Sequence, residues 1–172
     1  MKRVLAYLLL ILAAFFLQNN IFAASHLILT VPNIMLILVF SFGFIRGSVD
    51  GMCIGFVCGL LLDIFFSETI GFSALIYTLL GYGIGLLGRL YYADFVDMPL
   101  LLCLFSDLFY HVGIFVFAFA LNGQLDFGAY FTGIIIPELL YTALMTLILY
   151  PLFRKAEALI TRWETRRTRS FV

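Results

Sequence analysis

Six long apolar runs follow one another along this chain, and they limit its possible folds more than any other feature. The runs occupy residues 4–24, 33–45, 49–66, 70–91, 98–121 and 130–153. A helix needs about 20 apolar residues to cross a bilayer. The chain is 64% hydrophobic and only 12% charged, whereas about 25% of the residues in a soluble domain are charged. The sequence therefore predicts an all-α integral membrane protein, with one six-helix transmembrane domain over residues 1–153.

Proline and glycine mark the breaks between these runs. Pro32 precedes the second run, and Pro151 is predicted to close the sixth. Only a few residues around Arg46 and Gly47 separate the second run from the third, which predicts a tight antiparallel hairpin. The second run is short for a bilayer, so we expect it to tilt little, to thin the membrane locally or to be partly sheltered by its neighbours.

The basic residues predict the orientation in the membrane. With six spans, all 10 Lys and Arg residues fall at positions on one side. The loops on the other side, residues 25–32, 67–69 and 122–129, contain none. Because short cytoplasmic loops are enriched in Lys and Arg, both termini are predicted to be cytoplasmic.

Residues 154–172 form a basic tail after the sixth run. Apolar residues recur in it at helical spacing up to Trp163, with Arg162, Arg166 and Arg167 among the basic residues. This pattern predicts an amphipathic helix at the cytoplasmic interface, attracted to anionic membrane lipid and anchored by Trp163. The alternative is an unstructured basic tail that only enforces the topology.

Glycines, with Tyr77 in the same register, recur every four positions from just before the third run and again in the fourth. We call these residues the glycine stripe: Gly47, Gly51, Gly55 and Gly59 in the third run, and Tyr77, Gly81 and Gly85 in the fourth. Residues four apart share one helix face, and small residues let membrane helices approach closely. Two roles stay open for the stripe, which are packing within the chain and docking of a partner's helix.

Asp63 continues the stripe at the end of the third run. A carboxylate at membrane depth is costly and usually faces the bundle interior or caps a chain end. We expect Asp63 to lie near the outer leaflet and to accept hydrogen bonds from residues 67–73 or from the start of the fourth span. Proton or ligand binding is the alternative.

Three further polar residues lie inside apolar runs. Asp107 and His111 share a face of the fifth run, being four residues apart, and Glu138 follows Pro137 in the sixth. We expect one buried polar network, with a proton relay as the alternative. One histidine and two carboxylates are few ligands for a metal, so the sequence alone argues against a metal site.

The chain carries no convincing catalytic or nucleotide-binding pattern. Gly83, Gly85 and Gly88 match GxGxxG, but they end a membrane helix with no preceding strand. No nucleophile–base pair and no nucleic-acid motif stands out. The sequence therefore predicts a non-enzymatic protein with no cofactor, no metal and no nucleic-acid partner.

Several short patterns together resemble the MreD family of bacterial rod shape-determining membrane proteins. They are Val31-Pro32-Asn33, Arg46-Gly47, the run from Gly59 to Asp63, Gly71-Phe72, Ala74, Tyr77 and Gly81-Tyr82. The most specific part of the resemblance covers residues 31–85. Length, six spans and the basic tail agree with it.

The resemblance implies a subunit of the cell-elongation machinery in the bacterial cytoplasmic (inner) membrane. Proteins of this family associate with MreC and thereby link MreB filaments to RodA and a class B penicillin-binding protein, which make peptidoglycan. The resemblance also implies a fold like that of the substrate-binding subunits of energy-coupling-factor transporters.

Two functions are compatible with these observations. The first is a membrane adaptor that helps to control cell shape. The second is a vitamin-type substrate-binding subunit of a transporter, which needs an outward-facing pocket and an ATPase partner. An integral membrane enzyme would need a catalytic constellation that the sequence does not offer.

Overall fold

A computed structural model describes residues 2–22, 31–67, 69–90, 97–122 and 127–168 of the chain. The helices are α1 (Lys2–Phe16), α2 (Ile34–Arg46), α3 (Ser48–Phe66), α4 (Phe72–Leu90), α5 (Asp97–Asn122), α6 (Phe127–Tyr130) and α7 (Ile136–Thr168). One π-helical turn, Leu17–Phe22, extends α1, and another, Phe131–Ile135, joins α6 to α7. Each of the six predicted runs is therefore helical in its described part.

The helices differ in how far they could reach across a membrane. Three are long and apolar enough to span one: Ser48–Phe66, Pro99–Phe117 and Phe127–Thr161. Three more are apolar but shorter within the described residues: Val4–Asn19, Ile34–Arg46 and Phe72–Gly88. The fold is thus an all-helical bundle, as expected for a membrane protein.

Helix α2 lies at the centre of the bundle. Every residue from Ile34 to Phe44 is buried, because α1, α3, α4, α5 and α7 all pack against this helix. At 1.5 Å per residue, its 13 residues reach only about 20 Å, whereas the hydrocarbon core is about 30 Å thick. Of the three expectations for the short second run, the structure supports shelter by neighbouring helices.

The start of α2 is hydrogen-bonded completely. Its first four N–H groups have no partner within the helix, and lipid offers none. Ile34 N–H donates to the Pro32 carbonyl (2.9 Å) and Ile37 N–H to the Asn33 carbonyl (3.1 Å). Side chains accept from the other two: Gln18 Oε1 from Met35 N–H at 3.0 Å and Asn33 Oδ1 from Leu36 N–H at 3.2 Å.

Gly47 makes the predicted hairpin between α2 and α3. It has φ 105°, a left-handed conformation that glycine adopts without steric cost. Its N–H donates to the Gly43 carbonyl at 2.8 Å, which ends α2, and α3 begins at the next residue. The two helices therefore pack side by side in opposite directions.

The glycine stripe packs α3 against α4 and α2. A Cβ atom added to Gly51 would lie 2.5 Å from the Gly81 carbonyl oxygen and 2.7 Å from the Cα of Gly43. A Cβ on Gly55 would lie 2.3 Å from the Tyr77 carbonyl oxygen. At Gly85 it would lie 2.3 Å from the Ser48 nitrogen. All of these distances are too short for a real side chain, so three backbones meet here only because glycine lies between them.

This packing corrects one of the two roles predicted for the stripe. The sites that side chains would occupy at Gly51, Gly55 and Gly59 are filled by backbone atoms of residues 73–81 and of α2. No room remains on this face for a helix from another protein. The stripe therefore holds α2, α3 and α4 together, and any partner must bind elsewhere.

Replacing Gly55 tests the close packing of α3 and α4. We expect Gly55→Ala to lower the free energy of unfolding by about 1–3 kcal/mol, because the added methyl group forces the two backbones apart. The control is Gly83→Ala on α4, where a Cβ would meet nothing within 4 Å. Thermal unfolding in detergent compares the two, and equal stability of both variants would contradict the packing.

Pro151 does not end the last span. Helix α7 runs from Ile136 to Thr168 with Pro151 inside it, so the predicted boundary there is wrong. Proline is tolerated inside membrane helices because neighbouring groups compensate for the lost hydrogen bond. Here Phe153 packs against Phe42 (ring centroids 6.2 Å apart) and Glu157 pairs with Arg46, which keeps α7 beside α2 beyond the proline.

The division between the predicted domain and the tail falls within this continuous helix. Arg162, Trp163, Arg166 and Arg167 belong to α7, but their side chains lie outside the described part of the protein. Residues 169–172 lie outside it entirely. Binding of these residues to the membrane interface stays a prediction.

Candidate functional site

A buried polar network surrounds the start of α2, and Asn33 is at its centre. The Asn33 side-chain oxygen accepts a hydrogen bond from the Tyr77 hydroxyl at 2.7 Å, in addition to the one from Leu36 N–H. Its side-chain nitrogen donates to Asp107 Oδ1 at 3.3 Å. Asn33 is 3% exposed, and Tyr77 and Asp107 are fully buried. One amide group thus connects α2 with α4 and α5.

The network continues into α7 through threonine side chains. The backbone N–H of Asn33 donates to Thr142 Oγ1 at 3.2 Å. One turn further on, the Thr146 hydroxyl donates to the Thr142 carbonyl at 2.6 Å and lies 3.4 Å from the Cys103 sulfur on α5. The polar groups around Asn33 therefore belong to four helices.

Asp107, His111 and Glu138 come together beside this network. We call these three residues the His–carboxylate cluster. Asp107 and His111 share a face of α5, as their spacing predicts, and α7 supplies Glu138 from the other side. His111 Nε2 lies 3.2 Å from Glu138 Oε1 and 3.9 Å from Asp107 Oδ1. The geometry thus assembles the three intramembrane polar residues that the sequence only grouped.

The geometry leading into α7 brings Glu138 to this position. The π-helical turn Phe131–Ile135 directly precedes the turn that contains Pro137. Proline has no N–H and its ring would clash with the carbonyl four residues earlier, and a wider turn relieves that clash. Ile135 is fully buried there, while Glu138 is half-buried and faces α5.

The His–carboxylate cluster is not fully hydrogen-bonded. Asp107 Oδ2 and both ring nitrogens of His111 are buried and make no hydrogen bond within the described residues. The contact of His111 Nε2 with Glu138 is close enough for ion pairing but is out of hydrogen-bond alignment. Buried polar groups are nearly always satisfied, so this cluster differs from the rest of the interior.

Asp63 is a second buried carboxylate, and its surroundings are different. It is fully buried and accepts three backbone hydrogen bonds. Gly71 N–H and Ala74 N–H donate to Oδ2 at 2.9 and 3.0 Å, and Ser73 N–H donates to Oδ1 at 3.1 Å. The carboxylate caps the start of α4, where a negative charge also opposes the helix dipole favourably. This is the structural role that the sequence analysis expected for Asp63.

A polar cluster lies at the opposite end of α2. Arg46 forms an ion pair with Glu157 of α7 and donates to Thr161 Oγ1 at 3.2 Å. The Tyr7 hydroxyl of α1 donates to Glu157 Oε2 at 3.0 Å, and the Thr161 hydroxyl donates to Oε1 at 3.0 Å. Glu157 is only 4% exposed. This cluster holds α1, α2 and α7 together at the end of α2 that carries Arg46.

Sequence reasoning missed several of these residues. Asn33 was noted only as part of a motif, and Tyr7, Thr142 and Glu157 were not singled out. A weak signal exists for Glu157, which is the one acidic residue between Arg154 and Arg162 and lies four residues after the buried Phe153. Nothing local indicates that Thr142 meets Asn33, which lies 109 residues earlier.

Two apolar grooves lie between helices. The α1–α3 groove has a volume of about 370 Å³, and its lining comprises Val4, Tyr7, Leu8, Ile11, Asp50, Cys53, Ile54 and Val57. The α5–α7 groove has a volume of about 320 Å³, and its lining comprises Leu101, Leu104, Phe105, Leu108, Leu139, Leu140 and Ala143. Of the two, only the first is lined by a hydroxyl and a carboxylate group, those of Tyr7 and Asp50, and both lie toward the end nearest Arg46.

The fold and these sites define a class: an all-helical membrane protein with polar groups held between its helices and large apolar side chains on its exterior. The chain matches the family model described as "rod shape-determining protein MreD" over residues 1–157. It therefore belongs to the MreD family, which confirms the resemblance seen in the sequence. No curated protein and no solved structure matches the chain. Members of this family are bacterial membrane proteins that determine rod shape and are not known as enzymes.

Removing one hydroxyl group tests the Asn33 network. We expect Tyr77→Phe to lower the free energy of unfolding by about 1 kcal/mol, the net value of a typical hydrogen bond, or somewhat more because Asn33 Oδ1 stays buried. The control is Tyr82→Phe on the same helix, where the tyrosine is 46% exposed. Thermal unfolding of both variants in the same detergent measures the difference, and no difference between them would contradict the role of Tyr77.

Proposed function

We propose that this protein is a non-enzymatic membrane adaptor of the cell-elongation complex, which pairs with MreC and helps to couple MreB filaments to peptidoglycan synthesis by RodA and a class B penicillin-binding protein. The observation that carries the proposal is membership of the MreD family over residues 1–157. The architecture supports it, because most of the described polar groups hold helices together and the exterior offers apolar helix faces.

We infer where MreC docks from the helix faces that do not take part in the glycine stripe. Since the stripe is filled within the chain, we place the single membrane helix of MreC in the α1–α3 groove. This groove is the larger of the two described, and both of its polar side chains, Tyr7 and Asp50, lie toward the end that carries Arg46. A helix seated in it has a defined orientation, which the purely apolar α5–α7 groove does not impose.

An affinity pull-down from native membranes tests the adaptor function. The full-length tagged protein, extracted in mild detergent, is expected to recover MreC and the cell-wall synthases, identified by mass spectrometry. Val57→Trp, which fills the α1–α3 groove, is expected to lower MreC recovery about tenfold, equivalent to about 1.4 kcal/mol of binding free energy. The matched control is Ala143→Trp in the α5–α7 groove, with recovery unchanged.

Other outcomes of this pull-down contradict parts of the proposal. Loss of MreC with Ala143→Trp but not with Val57→Trp would refute the α1–α3 site and keep the adaptor function. Recovery of an ATPase pair with a bound small molecule would favour the transporter subunit instead. The described centre of the bundle is filled by α2, which gives that alternative no support.

We also propose that the six helices all cross the bacterial inner membrane, with both termini in the cytoplasm. The placement of every Lys and Arg on one side of a six-span arrangement supports this topology. A fold like that of the energy-coupling-factor substrate-binding subunits stays a prediction.

A reporter fused after Val172 tests the topology. A reporter that works only in the cytoplasm is expected to be active in this fusion. A reporter that works only in the periplasm is expected to be inactive. The control is the same pair of reporters inserted after Ser67, where the activities should be reversed. Periplasmic activity at Val172 would rule out cytoplasmic termini with six spans.

A further inference from the structure

We propose that the His–carboxylate cluster of Asp107, His111 and Glu138 binds one divalent transition-metal cation of the zinc class, and that this cation joins α5 to α7 beside the start of α2. The inference goes beyond the adaptor function and does not depend on it.

Donor atoms of Asp107, His111 and Glu138 lie close to one another. One donor atom from each of the three side chains lies within 4.8 Å of the other two. The measured separations from His111 Nε2 are 3.2 Å to Glu138 Oε1 and 3.9 Å to Asp107 Oδ1. Zinc binds imidazole nitrogen and carboxylate oxygen at about 2.0–2.2 Å, so donor atoms around one tetrahedral ion lie roughly 3.4 Å apart. The three groups need only small side-chain movements to reach that arrangement.

Buried polar atoms of Asp107 and His111 lack hydrogen bonds within the described residues. Asp107 is fully buried and His111 is 4% exposed, yet Asp107 Oδ2 and both His111 ring nitrogens have no hydrogen-bond partner among the described residues. Asp63, equally buried, receives three backbone N–H groups. The chain therefore satisfies one buried carboxylate with its own backbone and leaves the other short of partners.

The charge and the donor atoms of the His–carboxylate cluster suit a divalent transition metal. Two carboxylates and a neutral imidazole carry a charge of −2, which a divalent cation neutralises in an interior where unpaired charge is costly. A mixed nitrogen and oxygen donor set suits zinc and its neighbours, whereas Mg²⁺ and Ca²⁺ favour oxygen alone. Three protein ligands leave one position of a tetrahedral site, which a water molecule or the second oxygen of Asp107 would fill.

The sequence alone argued against a metal site, because one histidine and two carboxylates at this spacing are few ligands. The packing of α7 beside α5 brings Glu138 close to His111, although Glu138 lies 27 positions later in the chain. Asn33 Nδ2 donates to Asp107 Oδ1, the kind of outer contact that orients a metal ligand. The cation would thus link the Asn33 network to both helices.

Metal content after loading tests the proposal directly. The full-length protein, purified in detergent with a chelator, is given ZnCl₂, freed of unbound metal and analysed by mass spectrometry of the element. The expected content is about one zinc ion per chain, with a higher thermal unfolding temperature because the ion binds only the folded state. Mg²⁺ at the same concentration is expected to give neither effect.

Variants locate the ion. His111→Leu and Glu138→Gln each remove a ligand and are expected to weaken zinc binding at least tenfold, since even outer-shell changes cost about 10–100-fold. The control is Cys53→Ser, which removes an exposed thiol. Exposed thiols in many proteins bind zinc adventitiously, so an unchanged zinc content in this variant is the expected result.

A second measurement needs no variant. Co²⁺ added to the wild-type protein is expected to give visible absorption bands that zinc abolishes by competition. Substoichiometric zinc in the wild type with no cobalt bands would overturn the proposal. Full zinc content in both His111→Leu and Glu138→Gln would do the same by placing the ion elsewhere.

Discussion

The structure depends on α2, a helix that is shorter than the hydrocarbon core is thick and is buried on every side. A helix end inside a bilayer leaves N–H and C=O groups that lipid cannot hydrogen-bond, so α2 is stable only where the protein supplies the partners. Gln18 and Asn33 do this at its start. At its other end Gly47 turns the chain directly into α3, and Arg46 pairs with Glu157. The surrounding helices are arranged around these two ends.

Two kinds of contact hold the bundle together. The hydrophobic effect does not drive helices together in lipid, so close packing and hydrogen bonds have to do so. Glycine provides the packing where α2, α3 and α4 meet, with carbonyl oxygens and Cα atoms where side chains would otherwise be. Asn33 and Glu157 provide hydrogen bonds between segments that are far apart in the sequence, and Asp63 joins the end of α3 to the start of α4. The His–carboxylate cluster stands out because it is buried without the same degree of satisfaction.

Local rules predicted a definable part of this fold. The apolar runs, the hairpin at Gly47 and the acceptor role of Asp63 follow from composition and from neighbours within about ten residues. Shelter of α2 by its neighbours was only one of three possibilities, because length alone does not say which neighbours cover a helix. The continuation of α7 past Pro151 was missed because Phe153 and Glu157, which follow the proline, contact Phe42 and Arg46, more than 100 positions earlier.

The candidate site was less predictable than the fold. Asn33 meets Tyr77 44 positions away and Asp107 74 positions away, and no periodic pattern reports such pairs. The sequence singled out Asp107, His111 and Glu138 because charge is conspicuous inside apolar runs, but their convergence depends on how α5 and α7 cross. The glycine stripe is the opposite case. Its periodicity was plain in the sequence, but only the packing shows which helices lie against it.

The central claim is that α2 is shielded from lipid on all faces, and hydrophobic photolabelling of the unmodified protein in a bilayer tests it most directly. A carbene-generating probe dissolved in the lipid labels side chains that face it, and mass spectrometry of peptides locates the label. The account predicts label on outward residues such as Phe56, Leu79 and Phe105, which are exposed, and none on residues 34–44. Label on residues 34–44 at the density found for Ser48–Phe66 would contradict it.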